Sequence, residues 1–117
     1  MHEAEALRWL EDYIAACNRH DPAAVVAMMS EDVVVVDMAF GGTFTGREAV
    51  EQLLDGMHAG LSSNFRFTIR NVVTSGDSYA FEWVLSGSND RSDPAMVLPA
   101  TGKDFSVPGL TIGFPVN

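Results

Sequence analysis

The stretch Tyr13-Ile14-Ala15-Ala16-Cys17-Asn18-Arg19-His20-Asp21-Pro22 separates two helical patterns, and its reading decides the fold. Upstream, Leu7, Leu10, Ile14 and Cys17 recur at helical spacing, with Trp9, Tyr13 and Ala16 as a second apolar row. This predicts a helix over residues 3 to 18 that is covered on a wide face. Asp21-Pro22 then restarts the chain: an aspartate caps free N–H groups and proline suits the first helical position. A short helix follows, carrying Val25, Val26 and Met29 inward and ending near Ser30.

Beyond it, the β-branched run from Val33 ends in a carboxylate at Asp37, a strand. Phe40-Gly41-Gly42-Thr43-Phe44-Thr45-Gly46 reads as a glycine-rich turn, because neither its spacing nor a lysine matches a phosphate-binding loop. A third helix is expected from Arg47 to Ala59, with Val50, Leu53, Leu54 and Met57 inward. Two strands come next, Phe65 to Thr74 and Tyr79 to Ser88, joined through the hairpin signal Ser75-Gly76-Asp77. On the second, Tyr79, Phe81, Trp83 and Leu85 share one face, and Ala80, Glu82, Val84 and Ser86 the other. Which face turns inward is not legible, and Glu82 is assigned to a solvated outer face. A loop over Asn89 to Gly102, with the apolar segment Met96-Val97-Leu98-Pro99, leads to a last strand from Lys103 to Phe114. Helices first and antiparallel strands afterwards make an α+β domain, helices packed on one face of a curved sheet with a pocket between the layers.

At 117 residues the chain is a single domain. Sixteen Asp and Glu outweigh seven Lys and Arg, for a formal net charge of −9, which repels a phosphate backbone and an anionic bilayer alike. Nucleic-acid and membrane partners are therefore not expected, and a small apolar molecule is. The acidic start lacks the pattern of a secretory signal, and Cys17, the single cysteine, can form no internal disulfide, so a cytoplasmic setting is expected. Cys17 reads as a small core residue. The histidines His2, His20 and His58 lack metal-ligand spacing, so no metal or other cofactor is expected.

Tyr13 to Asp21, then Val25-Val26-Ala27-Met28-Met29-Ser30-Glu31-Asp32, Val36-Asp37 and Gly46, resemble the N-terminal half of bacterial ketosteroid isomerases. They are equally similar to SnoaL-like polyketide cyclases and other nuclear transport factor 2-like domains. Phe81-Glu82-Trp83-Val84-Leu85-Ser86-Gly87 and Pro99-Ala100-Thr101-Gly102-Lys103 resemble the SnoaL-like members more. The resemblance implies the cone of a cystatin-like α+β roll. Tyr13 and Asp37 stand at the separation of the isomerases' oxyanion-hole tyrosine and general-base aspartate, which makes them the catalytic pair it implies. Proton removal beside a carbonyl needs such a base, and the enolate needs donors at its oxygen. Trp9, Phe40, Met57, His58, Phe81 and Trp83 are the ligand-lining candidates.

The isomerases' third group, a protonated acid, has no counterpart here: Leu110 or a neighbour falls in its place, and no Asp, Glu, Asn or Gln lies between Phe105 and Val116. Relatives also continue through one more strand, so a final strand is expected to be lacking and a homodimer to cover the sheet. Two readings stay open: an isomerase or cyclase-type enzyme, and a non-catalytic ligand-binding or dimerisation module of the same fold.

Overall fold

The computed structural model describes residues 3–37, 42–76, 78–92 and 99–113, the side chains of Glu3 and Asp37 excepted. The elements are α1 (Glu3–Asn18), α2 (Pro22–Ala27), β1 (Val34–Asp37), β2 (Gly42–Thr45), α3 (Arg47–Gly60), β3 (Arg66–Ser75), β4 (Ser78–Ser88) and β5 (Asp104–Gly113).

The deciding stretch folds as its residues dictate. His20 takes the left-handed conformation at φ 56°, and two bonds close the end of α1: His20 N–H to Cys17 C=O at 3.0 Å and Asp21 N–H to Ala16 C=O at 3.2 Å. This is the paired closure of a helix end in which a left-handed residue follows the last turn. Asp21 then caps α2, its carboxylate accepting from Ala24 N–H at 3.2 Å. The helix is shorter than expected and stops at Ala27, with Met28 as its C-cap.

A larger correction concerns the glycine-rich segment. Gly42–Thr45 is not a turn but strand β2, paired antiparallel with β1 in the register Val34–Thr45 to Asp37–Gly42. The other three strands form a sheet in the order β3-β4-β5, antiparallel throughout, with a bulge in β3 between Ile69 and Val72. The chain thus combines helices with open antiparallel sheet, and the strand expected last is present as β5.

Helices pack on the face that carries Phe65, Phe67, Tyr79, Phe81 and Trp83. Phe65 and Phe81 are buried there, and Phe67 packs on the core cluster of Ala16, Cys17 and Val25. Tyr13, Met29 and Leu54 close around the same cluster. Cys17 is the core residue expected of it, and Glu82 lies exposed on the opposite face. Asn18, the last residue of α1, fastens the helix to the free edge of β3. Its amide donates to Phe67 C=O at 3.0 Å and accepts from Phe67 N–H at 2.7 Å. His20 extends the seam, its Nε2 lying 2.8 Å from Phe65 C=O.

Candidate functional site

The site is built on α1 and β4. Tyr13 and Cys17 are one turn apart and share a helix face. Each acts on the other's proton: Cys17 adds to the rise of Tyr13, and Tyr13 partly offsets the rise of Cys17. Burial is the main cause that pushes the Tyr13 hydroxyl far above the usual tyrosine range, with Cys17 and Tyr79 adding to it. Burial likewise pushes the Cys17 thiol up to about 11. At neutral pH Tyr13 is therefore a hydrogen-bond donor and not an acid.

Trp9 stacks on Tyr13 with ring centroids 5.1 Å apart, and its indole N–H donates to Met28 C=O at 3.3 Å. From Trp9 the aromatic row crosses to the sheet: Tyr79 lies 5.7 Å away, and Phe81 lies 6.1 Å beyond Tyr79 in a nearly parallel plane. Trp83 belongs to the same face but packs edge-on against Phe67 at 5.3 Å, and its indole N–H donates to Thr111 Oγ1 at 2.8 Å. Strand β5 makes room for these rings with glycine. Gly113 pairs with Tyr79 and Gly109 with Trp83, and a Cβ at either would fall within 2.1 Å of the facing ring.

Of the predicted residues, Tyr13, Trp9 and Phe81 are thus brought into one aromatic array, with Trp83 further along its wall. Met57 and His58 are elsewhere. Met57 is buried on α3, and the His58 ring stands 4.6 Å from His20 beside a cavity of about 30 Å³ that Cys17, Asp55 and Phe65 also line. Asp37 ends β1, its backbone paired with Gly42. Its carboxylate, Phe40 and the segment Met96-Val97-Leu98 lie outside the described residues. A wider opening, about 390 Å³, is a groove between α1 and β3 lined by Leu7, Leu10, Ile14, Phe67, Ile69 and Val72. Tyr79 was missing from the sequence-based candidates, although its place two residues before Phe81 on one strand face was the signal for it. No group of three or more His, Cys, Asp or Glu among the described residues is placed to hold a metal ion. No helix among them is long and apolar enough to cross a membrane.

A helical layer over an aromatic sheet face is the arrangement of a ketosteroid isomerase-like fold. The SnoaL-like domain profile matches residues 10–113, and the chain belongs to that family. No functionally curated protein matches it. A Catenulispora acidiphila protein with a ketosteroid isomerase-like fold, solved with trimethylamine, is similar at 26 % identity and TM-score 0.77, over 92 % of this chain and 75 % of that one. A Xanthomonas campestris protein proposed to be a polyketide cyclase is 28 % identical with TM-score 0.73, over 93 % and 79 % of the two chains. An M. tuberculosis LEH-like epoxide hydrolase shares the fold at 18 % identity and TM-score 0.71, over 97 % and 75 %. One scaffold carries different chemistries, so the reaction has to be argued from the residues.

Proposed function

We propose that the chain is a small-molecule enzyme of the isomerase or cyclase type, acting by proton transfer on a neutral, apolar carbonyl compound. The observation that carries this reading is the array of Tyr13, Trp9, Tyr79 and Phe81: a hydroxyl kept protonated by burial, set beside the partly exposed rings of Trp9 and Tyr79 and the buried ring of Phe81, a surface that suits a cyclic substrate. In this reading Asp37 takes the proton from the carbon next to the carbonyl. The electron pair of that C–H bond becomes part of an enolate, Tyr13 hydrogen-bonds the enolate oxygen, and Asp37 returns the proton to carbon or the enolate attacks a second carbonyl. The net charge of −9 opposes phosphorylated and carboxylated substrates.

A specific observation also favours a non-catalytic ligand-binding module. The wider groove between α1 and β3 is lined largely by apolar side chains and not by Tyr13, so a ligand held there would not meet the proposed donor. Deuterium uptake by 2-tetralone in heavy water, followed by proton NMR, separates the two readings. Asp37→Asn keeps the size of the side chain and removes the basic oxygen, so protein-dependent exchange should fall at least about a hundredfold, as is usual for loss of a general base. Tyr13→Phe should reduce it less. Exchange that is the same in the Asn variant as in the wild type leaves only the binding module.

A further inference from the structure

The hydroxyl groups on the helix-facing side of the sheet are not equivalent. Tyr13 lies inside the core, where burial holds its proton. Thr111 Oγ1 accepts from the Trp83 indole. The hydroxyl of Tyr79 has no hydrogen-bond partner among the described residues, although its ring is held on several sides. Trp9 packs against it at 5.7 Å, Phe81 lies 6.1 Å away in a plane 16° from its own, and Gly113 lets it lie across the neighbouring strand. A Cβ at Gly113 would come within 2.2 Å of the Tyr79 hydroxyl oxygen, so glycine is what allows this orientation. The helix-facing positions of β5 opposite the aromatic row are Gly109, Thr111 and Gly113, and none can supply a carboxylic acid.

We propose that the Tyr79 hydroxyl is a second catalytic hydrogen-bond donor, serving the same substrate oxygen as Tyr13 and taking the role that an acid on β5 would otherwise fill. The inference rests on the enolate chemistry proposed above and adds a residue to it. Tyr79 bonds the carbonyl oxygen without giving up its proton, and the bond strengthens as negative charge gathers on that oxygen. Burial supports the role by holding the Tyr79 proton above the usual tyrosine range. Each tyrosine also lies within electrostatic reach of the other, since Tyr79 contributes to the raised Tyr13.

The test uses 2-naphthol, whose ionised form resembles a cyclic enolate and whose neutral and ionised forms fluoresce at different wavelengths. Wild-type protein should bind it and shift the bound probe toward naphtholate. Tyr79→Phe should weaken binding about 10–100-fold, as loss of one charge-assisted hydrogen bond does, and return the bound probe toward the neutral form. Its thermal midpoint should stay unchanged, because the hydroxyl bonds nothing among the described residues. If Tyr79→Phe binds and ionises naphthol like the wild type while Tyr13→Phe does not, the Tyr79 role is overturned and the proposed chemistry stands. If the wild type does not bind naphthol, or neither variant alters binding, both are overturned.

Discussion

Tyr13 and Cys17 show how one turn of helix sets the chemistry of two side chains. Spacing alone places them on the same face, and burial then decides their protonation. The Cys17 thiol holds its proton up to about 11 against an ordinary value of 9.0. A folded-state value above the unfolded one means that the native state binds more protons in that window. The resulting stability is fully present below pH 9 or so and is lost as pH rises through 11. Tyr13 and Tyr79, both raised by burial, act in the same direction at higher pH. Urea unfolding should therefore show a loss of about 2 kcal/mol between pH 8 and pH 10.5 from Cys17 alone. Cys17→Ala should flatten that part of the profile while lowering stability at neutral pH. A profile in the variant as steep as in the wild type would assign the loss elsewhere. Cys17 and Tyr13 were legible in the sequence as core and candidate donor. Their effect on one another's protons was not, because it depends on both rotamers.

The elements were legible to the extent that each carried its own signal. Helix α1 was readable from its double apolar row and α2 from Asp21-Pro22, both properties of consecutive residues. Strand β2 was not, because Gly42-Thr43-Phe44-Thr45 has glycine where a strand is weakest and becomes a strand only through β1. The seam between α1 and β3 is of the same kind. Asn18 looks like an ordinary helix-end residue, yet its amide imitates a neighbouring strand, giving and taking one hydrogen bond at Phe67. It satisfies an edge that would otherwise invite pairing with another chain. Asn18→Ala leaves a donor and an acceptor on Phe67 without protein partners and should cost about 2 kcal/mol. Asn18→Asp keeps the acceptor and loses the donor, so it should fall between the two in denaturant unfolding. Equal stability of all three proteins would show that water replaces the amide without loss. The position of Asp37 was readable as the end of a strand, but the surroundings of its carboxylate depend on the chain packed around it, which no local pattern encodes.

For the whole molecule, the face of the sheet turned away from the helices poses the remaining question. Val73, Ala80 and Ile112 form one cross-strand row there, Ala80 being paired with both others, and Leu110 lies beside the row opposite Glu82. Val73 is 65 % exposed, and Leu110 and Ile112 are 61 % exposed each. β-branched and aliphatic side chains gathered on one solvent face mark an interaction surface more often than a monomer's exterior. The edges are poor alternatives for association. Asn18 and His20 cover β3 at Phe65 and Phe67, and β5 carries Pro108, which has no N–H to offer a further strand. Contact between copies should therefore be face to face, with the row of one chain laid on that of its two-fold partner. A stable interface needs about 800 Å² from each partner, more than these side chains provide, so the surrounding polar positions of β3 and β4 must take part. Light scattering after size exclusion should give about twice the chain mass of 12.7 kDa. The double substitution Leu110→Glu with Ile112→Glu buries carboxylates in the contact and should give a monomer with an unchanged circular dichroism spectrum. Tyr79→Phe, on the opposite face, should remain dimeric. A wild-type monomer at high micromolar concentration would sink the idea and leave the row to another partner.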